Sequence, residues 1–346
     1  MKKICTLLVL ALTACRSAEP TPPAMGAAAS PVKVYVAIEE GNAIAVLDGH
    51  DLRTLKEIAV PNYMPHNVQV APDGKSVWSA NIAMEGMGMP DQLVQIDPAT
   101  DEIVARIDLG TEVHPAHVVV TPDSKTVLVT GAEKNEVIRV DAASRRIIDR
   151  IVLDDGAGVH GARVSVDGAT LWAAEIEGKR AVRLDLATGK QERVTLDGQA
   201  VQIAVSRDGR YVFASQYDTK KVARIDLASR AVTYLALPPE AQGPVQLYPA
   251  PDGRSMLVAD QGILASRPAS NKLYVFDVES MTITAAIDVG LGAHGVVALG
   301  DRAYVTAIAD DSVTAVDLAT KKVVARVKTG KKPNGISVWT KDRGTP

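Results

Sequence analysis

Seven short apolar runs that each end in aspartate constrain this chain more than any other feature. They are Val46-Leu47-Asp48, Gln95-Ile96-Asp97, Arg139-Val140-Asp141, Arg183-Leu184-Asp185, Arg224-Ile225-Asp226, Val275-Phe276-Asp277 and Ala315-Val316-Asp317. Successive aspartates lie 49, 44, 44, 41, 51 and 40 residues apart. A period of roughly 40–50 residues with several strand-like runs in each copy is the mark of a β-propeller. A turn follows most of these aspartates, as in Pro98-Ala99-Thr100. Aspartate suits that place because its carboxylate can accept a hydrogen bond from the backbone two residues on. These seven residues therefore read as structural.

Each period divides into four strands, a to d. Strand a is a run such as HNVQV or HVVV and ends in a turn such as Pro72-Asp73-Gly74 or Pro251-Asp252-Gly253. Strand b follows, as in VWSAN or YVFAS; strand c ends in the repeated aspartate; strand d is a run such as IVARIDLG. Alternating polarity and β-branched content favour strands, and no window shows sustained helical spacing. Residues 32–38, 43–48 and 54–60 read as b, c and d with no preceding a, and residues 335–340 read as an a with nothing after it. The last strand should therefore join the first three and close a ring of seven four-stranded antiparallel blades, removing the open edges. The expected fold class is all-β, with the propeller over residues 32–340 and a tail at 341–346.

The chain resembles the YVTN-repeat family of seven-bladed propellers. The likeness rests on Ala303-Tyr304-Val305-Thr306-Ala307, on Tyr35-Val36-Ala37 and Tyr211-Val212-Phe213-Ala214, on the Pro-Asp-Gly turns and on turns such as Val316-Asp317-Leu318-Ala319-Thr320. It covers nearly all of the chain after residue 31. It speaks for the fold and hardly for function, because propellers host many activities.

The first residues read as an address. Lys2 and Lys3 precede a short apolar stretch at 4–12, too short to span a bilayer as a helix. Leu12-Thr13-Ala14-Cys15 resembles a bacterial lipobox, which implies cleavage after a signal peptide of residues 1–14 and lipidation of Cys15. Losing two lysines would move the formal net charge from −3 to −5. Residues 15–31, rich in Ala, Pro and Ser, read as a flexible tether. Arg16, not an aspartate, follows the cysteine, a pattern that implies the outer membrane if the cell is Gram-negative. The expected place is the periplasmic side of the envelope, with the membrane reached by the lipid anchor alone. Cys5 and Cys15 are the only cysteines, so the folded domain has neither disulfide nor thiolate ligand. Nothing in the charge balance points to nucleic acid.

Candidate chemistry gathers at one face. The a-to-b and c-to-d hairpins are uniformly tight, whereas the b-to-c loops at 82–91 and 261–271 are long and open on the face where strand a begins. Insertions on one face mark the working face. Aligned by their turns, the seven a strands give one column of His66, Ala116, His160, Val201, Val245, His294 and Asn334, and a second of Asn67, His117, Gly161, Gln202, Gln246, Gly295 and Gly335. These fourteen positions hold four of the six histidines. Converging imidazoles are usual ligands for Cu, Zn, Ni or Fe, and thioethers add a preference for Cu(I). Met84, Met87 and Met89 lie in the long loop of the His66 blade. The expected metal set is His66, His160 and His294, with His117 as the weakest member because adjacent strand residues face opposite ways, and Met84, Met87 and Met89 beside them. Copper is the favoured ion. Binding should weaken as pH falls through about 6.5, since only neutral imidazole is a ligand. Glu39, Asn81, Glu175, Gln216 and Asp260 end their b strands on this face and could orient histidines, although loop-starting is the commoner duty of such residues. His50 and His114 fall outside the columns and read by default as surface residues, although His114 borders the mouth.

The arrangement resembles in kind the propeller of nitrous oxide reductase, whose channel-mouth histidines hold copper, and the haem d1 propellers of nitrite reductase. The first family needs more histidines and a cupredoxin domain, both missing here, so its activity does not carry over. Gly-x-Ser-x-Gly, His-Glu-x-x-His and phosphate-loop motifs are absent, and Gly74-Lys75-Ser76 falls in a hairpin. Three readings stay open: a protein binding a metal ion or another small ligand, a scaffold for another envelope protein, and a hydrolase, lyase or haem-related protein using the same mouth.

Overall fold

The computed structural model describes residues 31–153, 158–341 and 343–344. The expected signal peptide, Cys15 and nearly all of the tether lie outside the described residues. From Pro31 onward the chain is one unit of seven antiparallel sheets. Blades 2 to 7 are built from consecutive strands, starting with Tyr63–Val70, Pro115–Val120, Val159–Val164, Ala200–Val205, Pro244–Pro249 and Ala293–Leu299 as the inner strands. Blade 1 is composite, as expected: Pro333–Thr340 pairs antiparallel with Val32–Ile38, register Val32 with Thr340 and Val36 with Ile336. This inner strand begins two residues earlier than the sequence pattern suggests, which brings Asn334 into it. Within the expected tail, the short strand Arg343–Gly344 pairs with Trp339 and Thr340.

The repeated aspartates do what their turns require. Each of the seven accepts a hydrogen bond from a backbone N–H two or three residues on, such as Ala99 to Asp97 at 2.8 Å and Thr320 to Asp317 at 2.7 Å. The residue four after each aspartate has a positive φ, and only Gly189 among these seven is a glycine. The five a-to-b aspartates, Asp73, Asp123, Asp167, Asp208 and Asp252, likewise each accept from the N–H two residues on.

With 4% aromatic residues, Val, Ile, Leu and Ala carry the core. They bury between neighbouring blades: Trp78, Leu93 and Ile107 of blade 2 pack with Val118, Val127 and Ile138 of blade 3. Outer strands alternate, as in Arg146–Val152, because one face meets water. Closure adds polar ties, with Trp339 Nε1 donating to the Gly74 carbonyl at 2.7 Å and Val70 N–H to Ser337 Oγ at 3.0 Å.

One irregularity recurs in all seven blades and positions the channel mouth. Every inner strand slips register against its partner near its start. The slips fall between Pro65 and Asn67, Pro115 and His117, Val159 and Ala162, Ala200 and Gln202, Pro244 and Leu247, and Ala293 and Val296, and in blade 1 opposite Val36 and Ile38. A β-bulge breaks strict alternation and re-aims the residues it contains.

Candidate functional site at the channel mouth

The bulges arrange the two aligned columns as two tiers. The upper tier gathers histidines. The His66 and His160 rings stand edge to face with centroids 5.9 Å apart, and His66 and His114 do the same at 6.1 Å. His294 is held by Gln261 from the second long loop, Nε2 to Nδ1 2.6 Å, and Gln261 is itself fixed by the Leu264 N–H at 2.9 Å. His160 Nδ1 lies 3.1 Å from the Val201 carbonyl. That contact makes Nδ1 the protonated nitrogen and leaves Nε2 with the lone pair.

A carboxylate underpins this tier. Glu39 Oε2 is 3.4 Å from His66 Nδ1, Lys332 Nζ donates to Glu39 Oε1 at 2.7 Å, and Asn334 Nδ2 donates to Oε2. Burial alone would raise the Glu39 carboxyl, but hydrogen bonds from His66, Lys332 and Asn334 outweigh it and hold the group well below the usual range. Of the five b-strand ends, only Glu39 bonds to a histidine among the described residues. Glu175 pairs with Arg180 at 2.8 Å, Gln216 donates to Asp197 at 2.8 Å, Asp260 accepts from the backbone of Gln242 and Gly243, and Asn81 bonds to Ser79.

Two rings of this tier, His160 and His294, are neutral at ordinary pH. Burial first, then the neighbouring His66, pulls His160 down to about 3 and His294 to about 4. His114 is lowered for the same two reasons.

His117 occupies the lower tier. It is buried, with Gln202 Nε2 3.3 Å and Arg163 Nη1 3.3 Å from its Nε2. Burial and then Arg163 hold it well below the ordinary histidine range. Asn67, Gln246, Gly295 and Gly335 line the same narrow space. Thus the second column forms its own polar layer beneath the first.

His114 is the residue that the column alignment left out. It lies in the d-to-a connection with φ 50°, and its N–H and that of Val113 both donate to Asp91 Oδ2 at 2.9 Å. The other oxygen of Asp91 accepts from Ala83 N–H at 2.8 Å. One buried carboxylate therefore braces both ends of the Met loop and the segment carrying His114. Within that loop Met84 and Met87 are exposed and Met89 is half-buried. Asn42 Nδ2 contacts Met84 Sδ at 3.8 Å. Among the described residues none of the three thioethers hydrogen-bonds to an imidazole. His50 lies in the blade 1 c-to-d turn, away from the mouth.

Two imidazoles on one ion at about 2.0–2.1 Å from each nitrogen place their ring centres roughly 5–6 Å apart. The 5.9 and 6.1 Å separations about His66 reach the upper end of that range. Among the described residues no three His, Cys, Asp or Glu side chains are already set around one point for a metal. A shared ion would need a ring rotation.

No family model matches the chain, and no curated protein matches it in sequence. Solved structures do match in fold. Pseudomonas aeruginosa periplasmic gluconolactonase PpgL has a TM-score of 0.72 at 17% identity, covering 90% of this chain and 99% of that one. A catalytically inactive virginiamycin B lyase from Staphylococcus aureus, with quinupristin, has a TM-score of 0.68 at 14% identity, covering 90% and 97%. The dihydro-haem d1 dehydrogenase NirN has a TM-score of 0.61 at 17% identity, covering 90% of this chain and 66% of that one. The chain is a seven-bladed β-propeller. The neighbours' activities differ, so the shared fold does not choose among them.

Proposed function

We propose that this propeller binds a transition-metal ion, copper first, at its channel mouth. The observation that carries the reading is His66: its ring lies about 6 Å from two others, His114 and His160, and its Nδ1 faces Glu39. Neutral His160 presents Nε2, and the Met84–Met87–Met89 loop is tied through Asp91 to the His114 segment. His294 completes the upper tier. His117, enclosed by donors in the layer below, is not needed.

The test is a Cu(I) and Cu(II) titration of purified protein. Paired changes among His66, His160 and His294 to Ala should weaken binding far more than His50→Ala, and His114→Ala should weaken it too. Glu39→Gln should cost about 10–100-fold, the usual effect of losing a carboxylate that orients a ligand histidine. Absence of binding, or binding indifferent to these changes, would remove the metal reading.

A second reading has its own observation. Met84, Met87, Ile263, Leu264 and Leu291 are exposed apolar side chains, all on connections of the mouth face. Such residues suit a protein partner, and a failed titration would leave this scaffold role ahead. Catalysis or haem handling at the mouth ranks third.

We further propose that the domain is held in the envelope by a lipid anchor; the lipobox-like Leu12-Thr13-Ala14-Cys15 supports this reading. Cys15→Ser should move the protein from the membrane fraction to the soluble fraction. Continued sedimentation with membranes after a high-salt wash would defeat that anchor.

A further inference from the structure

The opposite end of the channel holds a second cavity of about 300 Å³. Its walls come from the ends of the inner strands of blades 2 to 6 and the turns after them, with Val119, Val164, Val205 and Pro122 among the apolar lining. Two arginines line it, Arg163 and Arg207, and no carboxylate does.

Neither arginine has an acidic partner among the described residues. Arg207 is fixed by carbonyls, Nε to Ala250 at 2.8 Å and Nη2 to Pro249 at 3.1 Å. Arg163 donates to the Ala162 carbonyl at 3.0 Å and abuts the ring of His117. Burial lowers Arg163 to about 10, so it still carries its charge at neutral pH. These partners orient the two cations without neutralising them. Half-buried charge without a counter-charge is costly, and an anion would offset the cost.

The surroundings narrow the class of anion. Asp167 and Asp208 flank the cavity in the a-to-b turns, each already accepting a serine hydroxyl and a backbone N–H. Their charges oppose a multiply charged ligand. The valine and proline walls favour an apolar body, and the volume suits a small one, near the lower limit of ordinary ligand pockets.

We infer that this cavity binds a singly charged amphipathic anion, a carboxylate on an apolar body of roughly eight carbons, with its head toward Arg163 and Arg207. Isothermal titration with octanoate tests it, using 1-octanol and acetate as the neutral and headgroup-only probes. Octanoate should saturate one site, with both controls at least about tenfold weaker, the worth of one charge-assisted hydrogen bond. Arg163→Gln and Arg207→Gln should each weaken octanoate by about tenfold or more while leaving 1-octanol unchanged, whereas Arg163→Lys, which keeps the charge, should lie between. If Arg163→Gln does not fold, Arg163→Lys and Arg207→Gln carry the same comparison. Equal affinity for octanoate and 1-octanol, octanoate binding unmoved by the arginine changes, or no saturable binding would each overturn the inference.

Discussion

At the c-to-d turns every blade bends its aspartate back onto its own backbone, from Asp48 through Asp317, and the side chain is consumed there. At the channel mouth every blade has a bulge instead, and the side chains it releases differ from blade to blade: His66, Ala116, His160, Val201, Val245, His294, Asn334. Both devices repeat seven times. The turn fixes residue type because only a short acceptor satisfies its N–H groups. The bulge leaves residue type open, so the ring's differences collect at the mouth. Repetition builds the scaffold and broken alternation furnishes the site.

The largest effect should come from breaking the ring itself. Deleting residues 333–346 removes the inner strand of blade 1, with its pairing to Val32–Ile38, the Trp339 bond to Gly74 and the Lys332–Glu39 contact at the mouth disturbed as a consequence. The inner edge of Val32–Ile38 would be exposed. We expect aggregation, or a fall in Tm of more than about 15 °C, against about 2–4 °C per kcal/mol for domains of this order of size. Unchanged melting in a thermal scan would show that closure does not hold the propeller together.

A change of pH should separate the two regions. His160 and His294 are depressed to about 3 and about 4 in the fold, against an ordinary 6.5. In the unfolded chain they take protons at higher pH than in the fold. Their neutral-state stabilisation is therefore complete above pH 6.5 and is lost as pH falls from there toward 4 and 3, on the order of a few kcal/mol. The turn aspartates Asp185, Asp226 and Asp317 are also lowered, by hydrogen bonds from their turns, so their contribution declines only below the ordinary carboxylate range. Urea midpoints should fall from pH 6.5 to 4.5, and a His160→Asn, His294→Asn double variant should flatten that slope. A slope unchanged in the double variant would dissociate the mouth from this acid sensitivity. The same values move the expected loss of metal binding below the pH of about 6.5 that unperturbed imidazoles would give, because His160 and His294 resist protonation longer.

Much of this was legible in the chain because the period and the turn aspartates are local. Asp48 to Asp317 count the blades, and aligning on the a-to-b turns found His66, His160 and His294. Strict alternation supplied the doubt about His117, and the structure gives the finer reason: the bulge lets both columns turn inward at different depths, so His117 meets Arg163 and Gln202 while His66 meets His160. His114 escaped because a left-handed backbone in a connection has no place in a strand alignment. Its trace was Asp91, a carboxylate ending the long Met loop of the preceding blade. Arg163 escaped because it lies beyond the two aligned positions, and a single arginine in a strand carries no sign of lacking a carboxylate.

The smallest effect concerns the turns alone and asks how far their repetition is a backbone matter. Four residues after each aspartate the chain enters the left-handed region, at Leu52, Asp101, Arg145, Gly189, Arg230, Met281 and Lys321. In blade 4 the residue is Gly189, φ 73°, and a Cβ there would meet open space. Gly189→Ala therefore tests conformation without a clash. Left-handed backbone costs a side-chain-bearing residue about 1–2 kcal/mol, and the loss of glycine's unfolded freedom returns about 0.4–1 kcal/mol. The net should be a destabilisation of about 0.5–1 kcal/mol. Lys321→Gly, at φ 59° in the corresponding turn of blade 7, should shift stability the other way by a similar or smaller amount. Urea midpoints of both variants, with copper and octanoate titrations unchanged, would place the turns outside function. A shift of the same sign in both would mean that side-chain contacts rather than φ decide these positions.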